Sequence, residues 1–151
     1  MAGQEPDALT HCVRLLARRD YTENQLRERL ERAGFDAGDS QRALELLTAD
    51  GYVNDAQYAQ RFVEDKRALS GWGHQRIARR LREVGVAPAL VERALAAGEH
   101  DEMEAAVVLL RSRMAPPRDD RERRRAHGLL LRRGYDSELA YAAVRALERE
   151  S

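Results

Sequence analysis

GYVNDAQYAQRFVEDKRALSGWGHQRIARRLREVGVAPALVERAL, residues Gly51–Leu95, contains three helical patterns that are separated by two glycine-marked turns. The first pattern runs from Asn54 to about Leu69 and ends at the turn Gly71-Trp72-Gly73. The second covers His74 to Val84, and the third begins near Pro88, a residue that suits the first turn of a helix. The stretch therefore predicts a unit of three helices in about 45 to 50 residues.

Local signals support this unit and place some of its residues. Asn54 and Gln57 stand at the positions of an N-cap and its third helical residue. Five residues recur at helical spacing along the first helix, namely Ala59, Phe62, Val63, Lys66 and Leu69. We expect the ring of Trp72, between its two glycines, to pack between the first and second repeats.

A repeat becomes visible when Gly85 is used as a ruler, because Gly34 lies 51 residues before it and Gly134 lies 49 after it. Leucine stands four positions before each of the three glycines. Each glycine fits the left-handed position after a helix, so alanine at any of them is expected to cost a similar amount, about 1 kcal/mol. Such a period predicts an all-α fold, a tandem array of three three-helix repeats that is elongated and curved.

The expected boundaries are a disordered N-terminus, 1–7, followed by repeats at 8–51, 52–98 and 99–151. In the first repeat, Thr22 and Gln25 predict a capping box at the second helix. Asp39 or Ser40 is expected to cap the third helix.

Composition excludes several classes of protein. The sequence has no apolar run near the roughly 20 residues that a membrane-spanning helix needs. The N-terminus also lacks the basic and apolar regions of a signal peptide, so a cytoplasmic location without membrane contact is predicted. The single cysteine, Cys12, excludes an internal disulfide and is expected to be a small buried residue.

The charge is zero overall but unevenly distributed. Residues 1–50 carry seven arginines against ten acids, whereas 61–82 carry six arginines and Lys66 against two acids. Residues 111–133 carry nine arginines against three acids. These two basic stretches are either solvated helix faces paired with nearby acids or a surface for phosphates or an acidic protein groove.

No catalytic or cofactor motif is present. The four histidines are scattered singly, and the sequence contains neither H-E-x-x-H, nor C-x-x-C, nor a phosphate-binding G-x-x-x-x-G-K-[ST]. We therefore expect no enzyme activity, no metal, no cofactor and no small-molecule substrate.

The middle repeat resembles the RecX family of bacterial regulators of the RecA recombinase. The resemblance rests on the opening Gly51-Tyr52-Val53-Asn54-Asp55, on Arg61-Phe62, on the turn Gly71-Trp72-Gly73, and on Ile77, Leu81, Gly85 and Val86. The stretches 14–35 and 132–144 resemble the first and third repeats of the family.

This resemblance implies a non-enzymatic protein that binds the RecA filament on single-stranded DNA and suppresses ATP hydrolysis, strand exchange and coprotease action. The alternative is a stand-alone single-strand nucleic-acid binder, although such proteins use aromatic stacking platforms and aromatic residues are sparse here. The residues predicted to contact the partner or DNA are Arg61, Lys66, Arg67, Trp72, Arg76, Arg79, Arg80 and Arg82, with a second contact at Arg121, Arg123, Arg124 and Arg125.

Overall fold

The computed structural model describes residues 6–151, and every regular element within them is a helix. The helices are α1 (Ala8–Leu16), α2 (Glu23–Arg32), α3 (Ala37–Ala49), α4 (Asp55–Asp65) with a π-helical turn (Lys66–Ser70), α5 (His74–Glu83), α6 (Pro88–Ala96), α7 (Glu102–Arg113), α8 (Asp120–Arg132) and α9 (Ser137–Glu148). The predicted all-α array of three-helix repeats is confirmed. None of the described helices combines the length and apolar character that crossing a membrane requires.

Side-chain caps begin most of these helices. Thr22 accepts from the N–H of Gln25 and the Gln25 side chain accepts from the N–H of Thr22, so the predicted capping box is confirmed. The predicted cap of α3 is wrong, because Asp36 caps this helix and its carboxylate accepts from the N–H of Asp39 at 2.8 Å. Asp7 caps α1, and residues 1–5 of the predicted disordered segment lie outside the described residues.

The chain divides into two compact units. The first contains the described residues up to Ala59 together with Leu81–Val91, and the second contains Gln60–Arg80 and Glu92–Ser151. In the first unit α3 packs against α1 and α2 over a core that includes Cys12, buried as expected. In the second unit α9 packs against α7 and α8 around the fully buried Tyr135. The repeat boundaries drawn from the sequence remain a prediction.

The three ruler glycines have positive φ angles, +90° at Gly34, +88° at Gly85 and +94° at Gly134, as predicted. At Gly85 and Gly134, the N-terminal end of a helix from earlier in the chain forms a hydrogen bond with the carbonyl of the residue before the glycine. In the first unit the Thr22 hydroxyl donates to the carbonyl of Val84 at 2.6 Å. In the second unit the N–H of Gly73, 51 residues after Thr22, donates to the carbonyl of Arg133 at 2.8 Å. Each bond ties a helix N-terminus to the carbonyl that precedes a ruler glycine.

We expect Thr22→Val to lower the free energy of unfolding by about 2 kcal/mol. The variant keeps the shape of the fully buried side chain but loses the α2 cap and the buried bond to Val84. Thr22→Ser, which keeps the hydroxyl, is the matched control and should cost less than about 1 kcal/mol. Urea unfolding followed by circular dichroism measures both. Equal losses in the two variants would contradict a role for the hydroxyl.

Candidate partner-binding cleft

The helix that begins at Asp55 changes its geometry before the Gly71-Trp72-Gly73 turn. Residues Lys66–Ser70 form a π-helical turn, and Gly71 follows it in the left-handed conformation with φ +64°. The wider turn shifts the helix phase, and Leu69 is 83% exposed although α-helical spacing places it two turns after the half-buried Phe62. An apolar side chain is thereby presented to solvent.

Trp72 lies at the end of this turn and is half-buried. Its ring makes an edge contact with Phe62 at 6.1 Å between centroids. Two cations lie over it, with Lys66 Nζ 4.7 Å and Arg76 Cζ 4.1 Å from the ring centroid, distances at which the ring attracts positive charge. These contacts all belong to the middle repeat, and the packing of Trp72 between the first and second repeats stays a prediction.

A cleft of about 680 Å³ opens beside Trp72, within the second unit. We call it the Trp72 cleft. It is lined by Arg67, Ala68, Leu69, Ser70, Gly71, Trp72, Arg76, Ala105, Val108, Leu109, Ser112, Arg113, Arg133 and Tyr135.

The lining of the Trp72 cleft is positively charged. It contains four arginines and neither aspartate nor glutamate. Two apolar side chains of the cleft are open to solvent, Leu69 and the half-exposed Val108. The cleft thus combines unbalanced positive charge with an apolar surface, and this combination suits an anionic partner that also carries apolar groups.

Contacts from the third repeat hold the Trp72 turn in place. Arg133 Nη1 donates to the carbonyl of Ser70 at 2.6 Å, and the Tyr135 hydroxyl donates to the carbonyl of Gly71 at 3.0 Å. Burial raises the pKa of Tyr135 to about 12, so its hydroxyl remains a donor at neutral pH. The cleft is therefore a preformed feature of the second unit.

Arg67, one of the predicted contact residues, points inward instead. Its Nη2 donates to the carbonyl of Leu95 at 3.1 Å and lies 2.7 Å from His74 Nε2. Burial lowers the pKa of Arg67, and the charge of Glu102 opposes this shift. Arg67 supports the cleft from behind, and this position does not favour its predicted supporting role in the contact with the partner.

Behind Arg67 the structure brings together three groups that the sequence left scattered. His100 Nε2 lies 2.9 Å and His74 Nε2 lies 3.6 Å from Glu102 Oε1. Burial lowers the pKa of His74, against the opposing charge of Glu102. Because His74 Nε2 already faces the Arg67 guanidinium, the cluster is a hydrogen-bonded support and we infer no metal site from it.

The other predicted residues of the middle repeat lie on exposed helix faces. Arg61, Arg79, Arg80 and Arg82 are all exposed, and Arg82 belongs to the first unit. Within residues 6–151, the side chains of Arg79 and Arg82 make no hydrogen bond or ion pair. Three of the predicted residues, Lys66, Trp72 and Arg76, lie together, and their role in binding stays a prediction.

The four arginines of the predicted second contact differ in their surroundings, although they are close together in the sequence. Arg123 forms ion pairs with Asp120 and Glu148, so its charge is locally compensated. Arg121, Arg124 and Arg125 are exposed on α8 beside Asp119 and Glu122. The basic stretch therefore contains both compensated and outward-facing arginines.

Four important cleft residues were missed, namely Leu69, Val108, Arg113 and Arg133. From the sequence, Arg113 fits a helix end that complements the macrodipole, and Arg133 precedes a turn. The usable signal was weak: an apolar residue next to a glycine turn and arginines at helix ends. These residues meet in the fold, where α7 and the residue after α8 lie beside the Trp72 turn.

Comparisons with family models, with curated proteins and with solved structures all find proteins described as RecX. Residues 8–47 match the family described as RecX, first three-helix domain, and residues 54–95 match RecX, second three-helix domain. The chain is 37% identical to Regulatory protein RecX of Trichlorobacter lovleyi over 91% of this chain and 94% of that protein. It is 34% identical to Regulatory protein RecX of Halorhodospira halophila over 99% and 94% of the two chains. The crystal structure of RecX from Lactobacillus salivarius shares its fold, with a TM-score of 0.83, 17% identity, and coverage of 94% of this chain and 95% of that one.

Proposed function

The chain belongs to the RecX family of regulatory proteins, and from this membership we propose that it regulates RecA by binding the filament that RecA forms on single-stranded DNA. Bound in the helical groove of that filament, it suppresses ATP hydrolysis, strand exchange and coprotease action. The protein acts in the cytoplasm and has no catalytic role of its own in this proposal.

The acid-free lining of the Trp72 cleft is the observation that carries the proposal. A groove of a nucleoprotein filament offers phosphates and acidic side chains together with apolar protein surface, and the cleft offers complements to both. Lys66, Trp72 and Arg76 form its proposed contact centre, with Arg113 and Arg133 added by the structure. Arg61, Arg79 and Arg80 extend this contact along exposed helix faces, and Arg121, Arg124 and Arg125 provide the second one.

The direct test adds the purified protein to RecA on single-stranded DNA and follows ATP hydrolysis and strand exchange. We expect both activities to fall at protein amounts comparable to RecA. No effect on either activity at stoichiometric amounts would overturn the proposal.

The rival function, a stand-alone single-strand binder, is separated by a second measurement. Salt titrations of binding to bare DNA and to the assembled filament compare the two partners directly. The proposal predicts tighter binding to the filament at every salt concentration. The rival predicts equal or weaker binding to the filament than to bare DNA.

A further inference from the structure

An open aromatic pair lies on the third repeat, on residues that the preceding proposal does not use. Tyr141 of α9 stacks on His127 of α8, with ring centroids 4.1 Å apart and an interplanar angle of 28°. Tyr141 is nevertheless 58% exposed. Because one face of its ring is against the imidazole, the exposed surface includes the opposite face.

A cavity of about 640 Å³ lies beside this pair, and Gly128 forms part of its lining. A glycine inside a helix is destabilising relative to alanine. Packing does not require it at this position, since the nearest atom to an added Cβ would be Nη1 of the flexible Arg132, at 3.2 Å. The missing side chain leaves the cavity open next to the aromatic pair.

The charges around the cavity are arranged for an anion. Arg123 forms ion pairs with both acids of the lining, Asp120 and Glu148, and the three arginines against these two acids leave the lining with a net charge of +1. The two remaining arginines, Arg124 and Arg145, are exposed, and their side chains have no hydrogen-bond or ion-pair partner within residues 6–151. Two available guanidinium groups therefore flank an aromatic ring with an open face.

We propose that this cavity binds single-stranded nucleic acid, with one nucleobase stacked on the open face of Tyr141 and the neighbouring phosphates on Arg124 and Arg145. Every base has a π-face, so stacking on one tyrosine is sequence-tolerant, and arginine is well suited to phosphate oxygens. This site is separate from the Trp72 cleft and shares only Arg124 with the second proposed filament contact, and the proposal does not depend on binding to RecA.

The test measures fluorescence anisotropy of a labelled oligo(dT) with the full chain and without RecA. We expect Tyr141→Ala to weaken binding on the order of tenfold, as for the loss of one base stack, and Tyr141→Phe to bind like the parent. Tyr52→Ala, at a tyrosine that is 70% exposed in the first unit, is the matched control and should have no effect. An abasic oligonucleotide of equal length should bind the parent and Tyr141→Ala alike.

A double variant, Arg124→Gln with Arg145→Gln, tests the phosphate-binding role of the two arginines. It should reduce the slope of log K against log salt concentration by about 0.7 for each phosphate that the protein no longer neutralises. The proposal is overturned if the parent does not bind oligo(dT), if folded Tyr141→Ala binds it as the parent does, or if Tyr141→Ala weakens binding to abasic DNA equally. Circular dichroism melting confirms the fold of each variant, and inhibition of RecA is scored separately.

Discussion

Replacing Gly134 by alanine is expected to lower the free energy of unfolding by about 3 kcal/mol. Two costs add at this position. The left-handed backbone at φ +94° costs an alanine about 1 to 2 kcal/mol. A Cβ atom would also lie 2.5 Å from the backbone nitrogen and 2.9 Å from the Cα of Arg76, and such overpacking typically costs about 1 to 3 kcal/mol.

Gly34 is the matched control for this prediction. It has nearly the same conformation, φ +90°, but no atom lies within 4 Å of an added Cβ. Gly34→Ala should therefore cost only about 1 kcal/mol. Urea unfolding of both variants compares the two costs, and equal destabilisation would contradict the close approach of Gly134 to α5.

The sequence predicted equal costs at the three ruler glycines, and the structure shows why this was incomplete. Periodicity identifies a conformation that each glycine adopts within its own repeat. It does not identify the atoms that another repeat brings to that position. An added Cβ at Gly85 would meet Asn24 Cγ at 2.6 Å, and at Gly134 it would meet Arg76, whereas Gly34 faces open space.

Local rules predicted the helices well because their causes are local. The Thr22–Gln25 capping box and the Asn54 cap, which accepts from the N–H of Gln57 at 3.1 Å, depend on neighbouring residues alone. The cap of α3 was predicted three or four residues too late, because α3 begins at Ala37 and includes Gly38, a poor helix former. Here the hydrogen bond from Asp39 to Asp36 outweighed helix propensity.

The candidate site was only partly predictable, for two physical reasons. A π-helical turn has no reliable sequence signal, and Leu69, which the sequence grouped with the half-buried Phe62 at helical spacing, is 83% exposed. The remaining cleft residues come from helices far apart in the chain, such as Arg113 and Arg133. Charge density in the sequence identified basic stretches but could not show that Arg67 turns inward or that Arg123 is compensated.

Reversing one charge over the Trp72 ring and one in the lining of the cleft beside it, Lys66→Glu with Arg113→Glu, is expected to weaken inhibition of RecA by about tenfold or more, equivalent to about 1.4 kcal/mol. Lys66 lies over the Trp72 ring, and Arg113 is exposed at the cleft without a side-chain hydrogen bond or ion pair within residues 6–151. Each substitution replaces an attraction by a repulsion towards an anionic partner. The salt dependence of inhibition should become flatter, because fewer counterions are then released on binding.

Two double variants with the same change of charge make this result specific. Arg18→Glu with Arg32→Glu alters exposed arginines of the first unit and should leave inhibition close to that of the parent. Arg79→Glu with Arg80→Glu alters the outer face of α5, and we expect a smaller loss than at the cleft, since a convex helix face buries less of a partner. The cleft variant should melt only slightly below the parent, because the contact of Lys66 with the Trp72 ring and the charge of Arg113 at the end of α7 are each worth about 1 kcal/mol or less. If it folds and inhibits like the parent while the Arg79 and Arg80 variant does not, the filament binds the outer face of α5 and the cleft is not the contact.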